Sequence, residues 1–412
     1  MQNSAPRRGQ GVPSLELLTL AVLGILALLA PLASRVSGIP CVVLEICLGI
    51  LFGNSVLGII QFGGPWTTFL FDFGLIYLLF LAGLEVEARF LQEYAVDSLL
   101  VGTLATIIPF AIGYAVGIAV GFSPTLTGLI FSTTSVGVVL PTARELEHLF
   151  NDDIQESNKP FSKLLIGATA VSDMLSMFML AFMVESRDAM GETLVLMIMA
   201  AILLLPFYRA LKLYSRMTTR LRELESRYYF TTRLSMVLMI VLAALAEIIG
   251  IHAVVGSFFA GVMISVLTEG SAKLSDNLLS FGYALFLPAF FLLAGAKVDL
   301  PSMLFAGDLW VLPIFLAFSY LGKLGGVYAA ARLRGITKRF SVAMGTLMWA
   351  KLSLVIAASE AALRMGRVSE EVYSTAVVFA MLTVLLAPVA ARLLISKTAK
   401  RIASRAVSPE VV

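Results

Sequence analysis

The stretch FSKLLIGATAVSDMLSMFMLAFMV, from Phe161 to Val184, is an almost wholly apolar segment with one carboxylate, Asp173, near its middle. As a helix it is long enough to cross the hydrocarbon core of a bilayer. An ionised carboxylate at that depth costs at least about 2.5 kcal/mol, so it is normally neutralised by a proton, a cation or a basic side chain. The segment therefore predicts ion chemistry at Asp173, with a buried ion pair that only ties two helices together as the alternative.

The composition extends this interpretation to the whole chain. Of the 412 residues, 59% are hydrophobic and only 14% are charged, whereas a soluble domain carries about 25% charged residues. The chain is therefore predicted to be a polytopic membrane protein bound to a lipid bilayer. Cys41 and Cys47 are its only cysteines, and six positions apart on one helix they face different directions, so we expect no disulfide framework.

Apolar segments of spanning length predict thirteen transmembrane helices. With thirteen spans, 22 of the 30 Lys and Arg residues fall on the C-terminal side and 6 on the other, and two lie inside helices. Because cytoplasmic loops are rich in Lys and Arg, the C-terminus is predicted in the cytoplasm and the N-terminus outside a cell inner (plasma) membrane. The predicted helices begin near Leu17, Ile39, Thr67, Leu99, Thr125, Phe161, Thr193, Ser235, Ala253, Ser280, Leu309, Val342 and Val372.

Two motifs recur later in the chain, both at the same offset. Gly38-Ile39-x-x-Val42-Val43 with Gly49 returns as Gly250-Ile251-x-x-Val254-Val255 with Gly261, and Leu81-Ala82-Gly83-x-x-Val86-Glu87 returns as Leu293-Ala294-Gly295-x-x-Val298-Asp299. Six helices plus one linker span are an odd number of crossings, so the second unit starts from the opposite side. Inverted repeats of this kind are typical of transporters, whose substrate site lies at mid-membrane between the repeats.

Two predicted helices carry polar residues in mid-span, where transporters interrupt their helices. In the fifth helix, Ser132, Thr133, Thr134 and Ser135 precede Gly137 and Pro141; in the twelfth, Lys351 and Ser353 lie at mid-span. The alternative for the hydroxyls is that they bond back to their own helix. Two crossed, discontinuous helices near Asp173 would offer the hard oxygen ligands that suit alkali ions.

Most of the chain resembles the bacterial monovalent cation:proton antiporters, in the membrane unit shared by sodium/proton antiporters and potassium-efflux proteins. The stretches that carry the resemblance include GIPCVVLEICLGILFGNSVLGII, FLAGLEVE, FSTTSVGVVLPTARELE, GATAVSDM, AEIIGIHAVVGSFFAGVMIS, LLAGAKVDL and GKLGG, in one order. The resemblance implies a core domain that carries the ion past a dimerisation domain, and hence a homodimer. We expect the membrane unit alone, without a nucleotide-binding regulatory domain.

The resemblance also assigns residues. Asp173 matches the ion-binding acid at the second place of the family's acidic pair, and Lys323 matches its membrane lysine. The first place of the pair, commonly Asp or Asn, is Ser172 here, and a stretch that often reads Arg-Gly-Glu is Trp349-Ala350-Lys351. Both departures remove negative charge, so cation binding is expected to depend on Asp173 and neutral oxygens.

These inferences give one predicted site and one set of domain boundaries. The ion site comprises Asp173, Ser172 and the hydroxyls of the fifth helix, with charge tuning by Lys323 and Lys351 and no cofactor. The alkali cation itself is expected on Asp173 and Thr134. The predicted units are the first repeat (1–186), a linker helix with a basic cytoplasmic loop (187–229), the second repeat (230–398) and a cytoplasmic tail (399–412). In the predicted ion site, the hydroxyls of the fifth helix that bind the ion are those of Ser132, Thr133 and Thr134.

The predicted function is exchange of one monovalent cation, Na⁺ rather than K⁺, for one proton by alternating access. The alternatives are sodium-coupled symport of an organic anion that pairs with Lys351, and a cation channel. An intramembrane aspartyl protease needs two acids that share a proton, and no second deep Asp is available, so we expect no enzyme. No nucleic-acid partner is expected.

Overall fold

The computed structural model describes residues 13–85, 94–135, 139, 142–143, 146–147, 160–184, 228–248, 252–267, 272–305 and 310–406, and no strand occurs among them. The all-helical fold class is confirmed. The helices of the first part of the chain are α1 (Pro13–Ser37), α2 (Cys41–Phe52), α3 (Pro65–Leu84), α4 (Ala95–Val120), α5 (Pro124–Ser132) and α6 (Phe161–Val184).

The second part repeats this helical pattern. Its helices are α7 (Phe230–Ile248), α8 (Ala253–Leu267), α9 (Ala272–Phe281), a π-helical turn (Gly282–Phe286), α10 (Leu287–Ala296), α11 (Leu300–Phe305), α12 (Val311–Leu333), α13 (Lys338–Leu347), α14 (Ser353–Arg364) and α15 (Glu370–Ala406).

Eight helices in the described ranges are long and apolar enough to cross a bilayer, counting α9, the π turn and α10 as one, and α2 and α8 are shorter apolar helices. The protein is therefore a multi-pass membrane protein. The predicted span from Thr193 lies outside the described residues, so the count of thirteen stays a prediction. The span expected from Ser280 begins earlier, at Ala272, because the polar turn before it is already helical.

Close helix packing at four glycines shows the internal repeat. A Cβ on Gly49 would lie 2.0 Å from a carbonyl oxygen of α10, and one on Gly295 would lie 2.2 Å from a carbonyl of α2. At the equivalent contact, a Cβ on Gly83 would lie 2.1 Å from a carbonyl of α8, and one on Gly261 would lie 2.0 Å from a carbonyl of α3. Because Gly49 and Gly261 are related by the offset of the repeated motifs, as are Gly83 and Gly295, the two helix pairs are equivalent contacts of the two repeats.

The helices pack in two groups, which we call the scaffold panel and the core panel. The scaffold panel contains α1, α2, α3, α7, α8, α9 and α10, and the core panel contains α4, α5, α6, α12, α13, α14 and α15. Contacts within each panel are extensive, whereas few described helices pack across the boundary, chiefly α14 against α3, α15 against α2 and α6 against α8; α11, outside both panels, packs against α15. The described helices thus form two groups, and one hydrophobic core runs through both of them.

The core panel contains two interrupted helices, as the sequence predicts. Helix α5 ends at Ser132, and Thr133 adopts an extended conformation with φ −62° and ψ 162°. Helix α13 ends at Leu347 and α14 begins at Ser353, with Lys351 in the irregular segment between them. The two breaks lie together, because α14 packs against α5. Gly137 and Pro141, the other residues predicted to open the fifth helix, lie outside the described part of the chain.

Candidate ion site at the broken helices

Asp173 projects from the middle of α6 beside the break after α5. It is buried, with 9% of its surface exposed. Its atom Oδ1 has no hydrogen-bond partner among the described residues, while the backbone amide of Thr134 interacts with the carboxylate as a donor. A buried carboxylate oxygen without a partner is costly unless a proton or a cation satisfies it. This carboxylate oxygen is therefore free, within the described part of the chain, to take up a proton or a cation.

Ser172, the neighbour of Asp173, joins three helices through its hydroxyl group. Its Oγ lies 2.9 Å from Thr106 Oγ1 on α4 and 3.3 Å from Thr134 Oγ1 at the break. It also lies 3.4 Å from the carbonyl oxygen of Ser132 and 3.4 Å from Lys323 Nζ. The structure thus brings together Ser172, Ser132, Thr134 and Lys323, all named from the sequence. Thr106 gave no such signal, because a single Thr in an apolar helix ordinarily bonds back to its own backbone.

The hydroxyl groups at the end of α5 do not all point in one direction. Ser132 Oγ donates to the carbonyl of Leu129 at 2.8 Å, and Thr133 Oγ1 donates to the carbonyl of Ile130 at 3.1 Å. These two hydroxyls follow the alternative considered from the sequence and bond within their own helix. Two hydroxyls cross to α6: that of Thr134, 3.3 Å from Ser172 Oγ, and that of Ser132, whose Oγ also lies 3.3 Å from Ser176 Oγ.

Lys323 lies in the middle of α12 and is fully buried. Its Nζ donates to the carbonyl oxygens of Ala105 at 2.8 Å and Ser132 at 2.6 Å. An amino group that ends on buried carbonyls does not reach the membrane surface, so the lysine is part of the site. Lys323 is within electrostatic range of Asp173, but no ion pair joins the two among the described contacts.

Lys351 places a second amino group at the same helix end. Its Nζ donates to the carbonyl oxygens of Phe131 at 2.7 Å and Thr133 at 2.9 Å. The last carbonyls of a helix lack intrahelical donors and carry the negative end of the helix dipole. Because α5 stops at Ser132, the two lysines supply the donors that the continuing helix would have provided.

Glu85 is a site residue that the sequence interpretation missed. It caps the C-terminal end of α3, in the scaffold panel, and lies within electrostatic range of Asp173. The available signal was its place in the stretch FLAGLEVE, where Glu85 occupies a position that differs between the two repeats. Glu85, which is partly buried, thus adds a second carboxylate that acts electrostatically on Asp173, whereas the sequence interpretation counted Asp173 alone.

Known proteins resemble this chain in sequence. The transmembrane sodium/hydrogen exchanger family matches residues 24–397. The chain belongs to this family. YjbQ of Bacillus subtilis is 28% identical to this chain over 377 residues, which are 85% of this chain and 58% of that protein. A Na⁺/H⁺ antiporter of Enterococcus hirae is 26% identical over 365 residues, 86% of this chain and 91% of that protein.

The fold of this chain has a counterpart among solved structures. The sodium proton antiporter MjNhaP1 from Methanocaldococcus jannaschii superimposes with a TM-score of 0.66, covering 93% of this chain and 99% of that chain at 15% sequence identity. At this identity the match shows a shared fold. The predicted membership of the antiporter family and the predicted fold are therefore confirmed, by sequence and by structure respectively.

Proposed function

We propose that the protein exchanges a monovalent cation, Na⁺ rather than K⁺, for a proton across the membrane by alternating access. The observation that carries the proposal is Asp173: a buried carboxylate with one oxygen that has no partner within the described chain, beside a helix break lined by Ser172 and Thr134. A proton and an alkali cation can each satisfy that oxygen, so they compete for one group.

The two panels support the alternating-access part of the proposal. The Asp173 site lies in the core panel, and Glu85 lies in the scaffold panel opposite it. Helix packing is denser inside each panel than between the panels, so the core panel can move as a unit, at the cost of the apolar face and the salt bridges that join it to the scaffold panel. Movement of the core panel would carry Asp173 from one side of the membrane to the other.

The proposed exchange is electroneutral, one cation for one proton. Asp173 has one negative charge, and it is neutralised equally by one proton or by one monovalent cation. Ser172, which stands where the family commonly has a second acid, cannot ionise. Lys323 and Lys351 each donate to two backbone carbonyls, and the proposed cycle assigns neither lysine a proton to exchange.

Relatives and charge patterns support the remaining parts of the proposal. The named function of the Enterococcus hirae relative, a Na⁺/H⁺ antiporter, favours Na⁺ as the substrate. We also propose a homodimer in the inner membrane with the N-terminus outside, and the repeat boundaries 1–186 and 230–398 on either side of the linker. Organic-anion symport is not favoured, because the amino group of Lys351 already contacts two carbonyls.

Transport by purified protein in liposomes tests this function. A vesicle with an imposed pH gradient should lose that gradient when Na⁺ is added, less readily with K⁺, and not with organic anions. With the membrane voltage clamped by a potassium gradient and valinomycin, the Na⁺ and proton gradients should balance at a point that does not move with voltage. A balance point that shifts with voltage would contradict electroneutral exchange, and proton movement coupled to an organic anion would contradict antiport itself.

A further inference from the structure

The backbone of Lys351 is held in place by a hydroxyl group on the neighbouring helix. Its N–H donates to Thr383 Oγ1 of α15 at 3.1 Å, and the same hydroxyl lies 3.1 Å from the carbonyl oxygen of Lys351. Both residues are fully buried. The irregular segment between α13 and α14 is therefore fixed where Lys351 leaves it, and the side chain extends from there to the end of α5.

The two carbonyl oxygens that Lys351 contacts are ligands of the kind that an alkali cation uses. Those of Phe131 and Thr133 are at the broken end of α5, 2.7 Å and 2.9 Å from Lys351 Nζ. Unwound carbonyls and helix C-termini coordinate cations in transporters with discontinuous helices. In this chain an amino group takes them instead, a few residues from Thr134 and Asp173.

We propose that Lys351 acts as a tethered cation that determines how the transported cation is bound. It occupies the carbonyl oxygens of Phe131 and Thr133 and so confines the transported cation to Asp173 and the neighbouring hydroxyl groups. It also places a fixed positive charge next to the bound cation, which lowers affinity for that cation by like-charge repulsion. Lys351 thus sets the ligands and the affinity of the cation site, and this inference rests on the proposed cation exchange.

A purely structural role for Lys351 makes a different prediction. If Lys351 only links α14 to α5, its removal loosens the site and weakens or leaves unchanged the binding of the transported cation. A tethered cation has the opposite consequence, because its removal frees two oxygen ligands and removes a repelling charge. The direction of the change in apparent KM therefore separates the two roles.

The experiment measures KM and kcat for Na⁺-driven proton movement in liposomes with Lys351→Met and Lys351→Gln. Met keeps the length of the side chain without a donor, and Gln keeps a donor without a charge. We expect the apparent KM for Na⁺ to fall about tenfold in both variants, the order expected for removing one nearby charge. Since the exchange itself takes place at Asp173, kcat should change less than KM.

Two further variants make the test decisive. Lys338→Met removes the same charge from an exposed position at the start of α13 and should leave KM unchanged. Thr383→Val removes the hydroxyl that holds the Lys351 backbone. It should also lower the apparent KM, but by less than the Lys351 substitutions do. If the Lys351 variants do not fold, Thr383→Val alone decides.

The possible outcomes separate this inference from the proposed function. An unchanged or raised KM in the Lys351 variants would overturn the proposal that Lys351 is a tethered cation, while exchange by the wild-type protein stands. Where those variants do not fold, the same result in Thr383→Val would overturn it. Absence of Na⁺-driven proton movement in the wild-type protein would instead overturn the proposed function. Na⁺-dependent thermal stabilisation of the purified protein gives an independent readout, and it should reach half its maximum at a lower Na⁺ concentration in Lys351→Met.

Discussion

The two repeats end equivalent helices with opposite charges. Glu85 caps α3 and Lys297 caps α10 at the matching position of the second repeat, and both adopt right-handed helical backbone angles. Each backbone N–H donates to the carbonyls two and four residues earlier. The local geometry is thus the same, yet Glu85 lies within electrostatic range of Asp173, whereas Lys297 donates to Glu360 at 2.6 Å.

Lys297 belongs to a charge cluster that spans the two panels. We call Asp72, Lys297, Glu360 and Arg364 the boundary cluster. Glu360, which is 1% exposed, also accepts from Arg364 at 2.8 Å, and Arg364 pairs with Asp72. Asp72 and Lys297 lie on the scaffold panel, whereas Glu360 and Arg364 lie on α14 of the core panel. The buried Glu360 and the more exposed Asp72 are therefore both paired with basic side chains.

The comparison distinguishes charged side chains that pair with one another from charged side chains that leave an acid available for a mobile ion. In the boundary cluster each carboxylate meets a basic side chain directly, so the charges are neutralised within the protein and hold the panels together. At the broken helices the two lysines contact backbone carbonyls, and no described ion pair takes up Asp173. An acid without a basic partner can accept a mobile proton or cation, and this difference separates the two regions.

The largest expected effect is the loss of exchange in Asp173→Asn. The amide keeps the shape of the side chain but carries no charge, so it takes up neither a proton nor a cation. Na⁺-driven proton movement should therefore fall to the level of empty liposomes. Thermal unfolding of the purified variant serves as the control for folding, and it should match the wild-type curve. Residual cation-coupled proton movement above that level would show that another group carries the ion.

Glu360→Gln breaks the boundary cluster at its most buried member. It leaves Lys297, itself only 15% exposed, without its carboxylate, and removing one partner of a buried ion pair costs about 3 kcal/mol or more. The melting temperature in detergent should fall clearly. Asp72→Asn is the matched comparison: its pair with Arg364 is more than a third exposed on both sides, so solvent screening keeps the cost below about 1 kcal/mol. Equal losses in the two variants would contradict this account of the cluster.

Two matched substitutions, Glu85→Gln and Lys297→Gln, replace the charged residue at the end of each equivalent helix with the same neutral residue. Because Glu85 lies near Asp173, its neutralisation should raise the apparent KM for Na⁺, by roughly fivefold for a charge acting through an effective dielectric constant of about 20. Lys297→Gln should lower the melting temperature and leave KM within experimental error. A KM that responds equally to both substitutions would remove the distinction between the two ends.

Lys323→Gln gives the smallest expected effect of the series. The positive charge of Lys323 favours the ionised form of Asp173, so its removal should shift the dependence of exchange on pH towards higher pH. Exchange rates of variant and wild type across a pH series at saturating Na⁺ would measure the shift. A superimposable pH profile would show that the Lys323 charge does not act on Asp173.

The sequence alone determined the framework of this protein. Apolar segments of spanning length, the acid at Asp173, the hydroxyl run from Ser132 and the constant offset between the repeated motifs are all local or periodic features, and they predict membrane helices, an ion site, a helix break and a repeat. Backbone groups in a membrane must be satisfied within a helix, so hydropathy translates directly into helical spans. The glycines at the repeat offset then prove to be among the points of closest helix approach.

Only the tertiary structure decided which partner each charged side chain has. Lys323 and Lys351 could each have paired with Asp173, yet they contact the carbonyls at the end of α5. Glu85 and Lys297 occupy equivalent positions, but one lies by the ion site and the other pairs with Glu360. The reason is that these partners are far apart in the chain and meet only through helix packing, on which the spacing of residues along a single helix carries no information.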